Sequence, residues 1–155
     1  AVSDQHPRGE GTIDVIVRGS AGIPTENLLE AVEAAINEQV VINHDLLVKS
    51  PVPVSIDAEL ELELYSGDEA ALRLSAEIFI RAMFSGDASR TAGHIPFGIG
   101  HDAVRERLAA GVITLMGVKR INWGGSLASG DVLVPADGLA VLNSASVTTK
   151  WVSER

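Results

Sequence analysis

The strongest constraint on the fold lies in residues 54–64, VSIDAELELEL, where apolar and polar side chains alternate without a break. Val54, Ile56, Ala58, Leu60, Leu62 and Leu64 fall on one side, and Ser55, Asp57, Glu59, Glu61 and Glu63 on the other. Successive side chains of a strand point to opposite faces, so this period of two predicts a long β-strand with one apolar and one acidic face. Pro51 and Pro53 precede it, and because proline cannot donate a ladder hydrogen bond they mark a boundary or a sheet edge there.

Upstream, residues 11–18 (GTIDVIVR) alternate more briefly, with Ile13, Val15 and Val17 on one face and Asp14, Ile16 and Arg18 on the other, which predicts a half-buried strand. A turn through Gly19 and Gly22 leads to Thr25, an expected N-cap, with Glu26 and Glu30 at the positive end of the following helix dipole. Leu28, Leu29, Val32, Ile36 and Val40 then recur at helical spacing over residues 26–40. Asn43, His44 and Asp45 close this unit, and Leu46 to Val48 can form a short strand.

Downstream, Ser66-Gly67-Asp68-Glu69 has the form of a capping box opening a helix to about Phe84, with Leu72, Ala76, Phe79 and Met83 as its core stripe and Gly86 at its end. Ile95-Pro96-Phe97 reads as a short edge segment. A third helix is expected over residues 101–115, with Val104, Leu108, Val112 and Leu115 inward and Gly117 as its C-cap. The remainder reads as strand-rich: residues 118–123, a flexible loop over 124–130, residues 131–134, and a long run from 139 to 152 after the Asp137-Gly138 turn. Together these predict an α+β fold, with helices packed on mixed or mostly antiparallel sheets in two small subdomains.

Composition narrows the function. At 155 residues and 46% apolar content the chain can bury a real core, and its apolar runs are far too short to span a bilayer. A net charge of -9 argues against a dedicated nucleic-acid binder, which needs surplus Lys and Arg to neutralise phosphates. Without cysteine there is no disulfide framework, thiolate zinc site or cysteine nucleophile. The opening residues have neither a basic nor an apolar region, so no secretion signal is read there, and a start at Ala1 fits a domain cut from a longer protein and methionine removal before alanine equally well. Charge is unevenly spread: residues 1–77 hold 15 acidic and 4 basic side chains, residues 78–155 hold 6 and 8. Such asymmetry can orient docking between unlike surfaces.

Motifs for catalysis are missing. His6, His44, His94 and His101 contain no helical i, i+4 pair, and Gly98-Ile99-Gly100 lacks the third glycine and preceding long strand of a dinucleotide site. No Walker A sequence or Gly-x-Ser-x-Gly elbow is present, and nothing places a base beside the serines of the 124–130 loop. Neither a metal nor a cofactor is expected. The row of Asp57, Glu59, Glu61 and Glu63 stands out, because neighbouring like charges on a strand cost stability unless water or a basic partner meets them. Trp123, Gly124, Gly125 and Ser126 join it as a candidate partner interface, tryptophan being enriched at interface hot spots.

The order of these pieces resembles the carboxy-terminal part of the baseplate J family of contractile phage tails and related injection systems. The matching stretches are residues 9–17 (GEGTIDVIV), 23–29 (IPTENLL), 48–54 (VKSPVPV), 95–98 (IPFG), 116–121 (MGVKRI) and 130–134 (GDVLV). The resemblance implies a structural wedge component with no catalysis and no cofactor, located in the virion tail baseplate after synthesis in the bacterial cytoplasm. It implies other baseplate and tail proteins as partners, self-association in a ring, and no nucleic acid, membrane or small-molecule substrate. On this expectation residues 1–50 end an upstream β-α-β subdomain and residues 51–155 form a carboxy-terminal α+β domain. Family members are longer, and the polar segment 85–93 fits the match poorly. The alternative is a small-ligand or glycan-binding module built on Trp123 and its adjacent loop, with a hydrolase third.

Overall fold

The alternating segment becomes strand β4 (Val52–Leu64), the centre of a three-stranded sheet in a computed structural model that describes residues 2–3, 8, 11–20, 22–39 and 45–153. Its neighbours are β5 (Val118–Gly125), antiparallel, and β6 (Gly138–Trp151), parallel. Ile56, Ala58, Leu60, Leu62 and Leu64 are all buried, so the face assignment made from the sequence holds. Leu60 lies opposite Trp123 on one side and Val147 on the other. Between Ile56 and Asp57 the register slips, because Ile56 pairs with Leu142 and Asp57 with Ser144; Asn143 is the extra residue of a β-bulge. Pro53 pairs only towards β6, since β5 begins its pairing at Ala58, and the missing N–H therefore sits on an open edge.

The apolar face is covered by α2 (Glu69–Ser85) and α3 (Arg105–Val112). Leu72, Ala76, Phe79 and Met83 of α2 are buried as expected, joined by Ile80 and Phe84. The capping box is not formed. Asp68 is the N-cap and its carboxylate accepts the Ala71 N–H at 3.1 Å, while Glu69 instead accepts hydrogen bonds from Thr149 and from Trp151 Nε1. A carboxylate one residue before the helix reaches the free N–H groups more directly, which releases Glu69 to tie the end of β6 to the helix.

Several expectations beyond α2 are corrected. Segment 95–97 forms no strand: Phe97 is fully buried, its N–H donates to Met83 O at 2.9 Å, and its ring packs on Phe84. Helix α3 begins four residues later than predicted, because Ala103 is held in a β-bridge to Val132 and Asp102 Oδ1 accepts the Val134 N–H. Residues 131–134 make that single bridge rather than a strand, and Asp131 Oδ1 caps Arg105 N at 2.8 Å. Gly117 does not cap the helix, which ends at Val112; it lies at φ 107° where an added Cβ would come within 2.0 Å of Ser66 O. The segment after β5 is tied to the sheet, with Leu127 fully buried and Ser126 bonded to β4.

The first sheet has the order β1 (Val2–Ser3), β2 (Thr12–Ile16), β3 (Asp45–Lys49), with β1 antiparallel and β3 parallel to β2. Each sheet thus holds one antiparallel and one parallel pairing, and the fold is α+β with mixed sheets. The alternation expected for β2 is present, and the face carrying Asp14 is the more buried one: Thr12, Asp14 and Ile16 are buried and Ile13 and Val15 half-buried. Asp14 tolerates burial because Arg8 Nε and Lys49 Nζ stand 2.8 and 3.1 Å from its oxygens. These two cations hold the Asp14 carboxyl below the usual range, Arg8 contributing most. Helix α1 (Glu26–Asn37) contacts β3 and buries no residue fully; Thr25 sits at its N-cap in extended conformation without a side-chain bond. Val40, Asn43, His44 and His6 lie outside the described residues.

Candidate functional site

The acidic row lies on the face of the second sheet turned away from α2 and α3, as alternation along β4 requires. Pairing decides what each carboxylate meets. Across β5, Glu59 faces Gly124, Glu61 faces Asn122 and Glu63 faces Arg120; across β6, Asp57, Glu59, Glu61 and Glu63 face Ser144, Ser146, Thr148 and Lys150. Directly opposite side chains in a sheet lie close enough to interact, so the row has one basic end and one neutral end.

At the basic end, Arg120 Nε stands 3.9 Å from Glu63, a long pairing between an exposed arginine and a half-buried carboxylate. Asn122 Nδ2 donates to both Glu61 (3.0 Å) and Glu63 (3.2 Å), so a single amide bridges two like charges. At the other end Asp57 accepts hydrogen bonds from Ser144 Oγ (2.5 Å) and from the bulged Asn143 Nδ2 (2.8 Å). These bonds, that of Ser144 foremost, keep the Asp57 carboxyl below its ordinary range. The bulge is what brings Asn143 to this carboxylate. Ser126 fastens the same point from the other side, accepting from Asp57 N at 3.0 Å and donating its own N–H to Asp57 O at 2.8 Å.

Glu59 is different. Among the described residues its carboxylate has no hydrogen-bond or ion-pair partner, and it leans over Gly124, where an added Cβ would lie 2.8 Å from Oε2. Around it Glu61, Asn122, Gly124, Ser146 and Thr148 form an open depression of about 300 Å³. Its donors and acceptors are an amide, two hydroxyls and two carboxylates, a set that can receive basic side chains. Among the described residues no cluster of three or more His, Cys, Asp or Glu side chains is placed to hold a metal ion, and no helix is long and apolar enough to cross a membrane.

The residues singled out from the sequence do not form one surface. Asp57, Glu59, Glu61, Glu63 and Gly124 share the open face, and Ser126 reaches it through Asp57. Trp123 is paired with Leu60, so its ring is on the core side, half-buried against the apolar cluster. Gly125 adopts φ 58° at the strand end, where a Cβ would lie 2.3 Å from Asp57 O. Trp123 also borders the depression around Glu59. Asn122, Asn143 and Ser144 were not singled out; only the strand register and the bulge bring them to the carboxylates.

Of the histidines, His94 packs edge-on against Phe79 of α2, and His101 Nδ1 accepts the Gly98 N–H within its own turn. No protein-family model matches the chain, and no curated protein matches it.

Proposed function

We propose that this chain is a structural component of a phage or phage-like contractile tail baseplate, a baseplate J-like wedge protein that acts through protein–protein assembly and not through catalysis. Two things support it: the ordered run of baseplate J-like segments along the sequence, and the acidic face of the second sheet. The observation that carries the assembly reading is Glu59, an exposed carboxylate between two others, with no described partner, over a polar depression. Like charges on adjacent positions of a face are destabilising, and a basic partner surface relieves them. On this reading residues 1–50 complete an upstream subdomain and residues 51–155 are the carboxy-terminal domain. The partners are other baseplate and tail proteins, copies of the chain close into a ring by heterologous contacts, and the site of action is the virion tail.

The test is to tag the parent protein in its bacterial host, induce any prophage, and identify what co-purifies in high-molecular-weight particles by mass spectrometry. Recovery of sheath, tube and hub proteins is the expected result; a tagged protein that sediments alone after induction overturns the reading. In the same assay, Glu59→Gln with Glu61→Gln should weaken incorporation, the more so at low salt, because exposed charges are screened over about 8 Å at physiological ionic strength.

A further inference from the structure

Strand β3 ends at Lys49 and β4 begins at Val52, so Ser50 and Pro51 alone carry the chain from the first sheet to the second. The polar contacts described between the two halves, beyond this link, are made by one side chain. Arg18, just past β2, donates through Nη2 to Phe84 O at 2.7 Å and through Nη1 to Phe97 O.

The place it reaches is specific. The last carbonyls of a helix have no partner within the helix and must find one elsewhere. At the end of α2, Ala82 O accepts from Gly86 N, Met83 O from Phe97 N, and Phe84 O from Arg18. A guanidinium there also faces the negative end of the helix dipole. Gly86 makes room: it holds φ 84°, and a Cβ on it would lie 2.7 Å from Arg18 Nη2. Beside this contact the halves are not close-packed, because Gly22 on one side and Arg81, Phe84, Ala140, Val141 and Leu142 on the other leave an open gap of about 200 Å³. Thin interfaces between subdomains permit relative motion.

We propose that Arg18 is a releasable clasp: bound to the end of α2 it sets the angle between the two sheets, and withdrawn it lets the halves hinge about Ser50 and Pro51. Hinges of this kind are a few residues at element ends that absorb the backbone change. Pro51 restricts Ser50 to extended conformations, so the swing has a preferred direction. The clasp stands independently of the baseplate reading.

The absence of cysteine permits a direct measurement. Glu33→Cys on α1 and Glu106→Cys on α3, both at exposed positions, carry spin labels in the full chain, and pulsed dipolar spectroscopy reads the distance between the halves. With Arg18 present a single narrow distribution is expected; Arg18→Ala should shift and broaden it while circular dichroism stays unchanged. Gly86→Ala, which keeps the arginine but fills its seat, should move the distribution the same way. An unchanged distribution in folded Arg18→Ala overturns the clasp, and if that variant does not fold, an unchanged distribution in Gly86→Ala overturns it instead.

Discussion

The two sheets have the same strand count and the same mixture of pairings, yet they are held together differently. The second is built on an apolar cluster running from Ile56 to Val147, in which β4 contributes five buried side chains and α2 and α3 close the face. The first buries Ile16 as its apolar residue among those described, together with Thr12 and Asp14, and its helix α1 buries no residue fully. What it has instead is an ionic knot, with Asp14 between Arg8 and Lys49 and Arg8 extended to Asp45. Apolar burial is non-directional and insensitive to pH, whereas paired charges are directional and lose their partner when one is protonated. The same sheet plan can thus rest on two kinds of force with different weaknesses.

That contrast can be broken most forcefully at Phe97, which is fully buried, packs on Phe84 and lies under the guanidinium of Arg107 at 4.8 Å. Phe97→Ala should destabilise the second sheet by about 3–5 kcal/mol in denaturant unfolding followed by tryptophan fluorescence. If amide exchange in residues 12–16 rises as much as in β4, the two sheets unfold as one and the comparison fails. Gly111→Ala comes next. A Cβ there would overlap the Phe79 ring at 2.0 Å, and overpacking should cost about 1–3 kcal/mol in the same measurement.

Acid should act in the opposite order. Because the folded Asp14 carboxyl titrates below its unfolded value near about 3.9, its contribution is complete above that pH and is lost as pH falls through the folded value. Amide exchange in residues 12–16 and 45–49 should therefore accelerate below about pH 4 before β4 does. Asp57 and Glu69 are also held low by hydrogen bonds, but their strand and helix remain fixed by the core. Asp14→Asn should abolish the acid-linked part of the opening; persistence of the same pH profile in that variant would show that another group controls it. The smallest effect is expected at Glu59. Glu59→Gln removes a charge with no described partner, so thermal unfolding should shift by no more than about 0.5 kcal/mol while any salt-dependent association changes.

The fold is most legible in the sequence where burial is one-sided. The β4 alternation, the α2 stripe of Leu72, Ala76, Phe79 and Met83, and the long β6 run were all legible, because a period of two or of about 3.6 is imposed by which side faces the core. The fold is least legible where a distant partner decides which face is buried. In β2 the alternation is visible in the sequence but the buried face is not, since nothing local to Asp14 announces that Arg8 and Lys49 will surround it. The candidate site divided in the same way. Four carboxylates on one face were evident from spacing alone, but the separation of Trp123 from them followed from its pairing with Leu60 across the sheet.

What the sequence by itself determined is the main helices, the long strands and the two-faced character of β4, because side-chain direction in a strand is local geometry. Only the tertiary structure decided which residues meet those faces. The Asn143 bulge that satisfies Asp57, the Asn122 amide shared by Glu61 and Glu63, the Asp131 cap of α3 and the grip of Arg18 on α2 each join residues far apart in the chain. Such contacts depend on register and on chain crossings, and those are settled by the packing of the whole core rather than by any one segment.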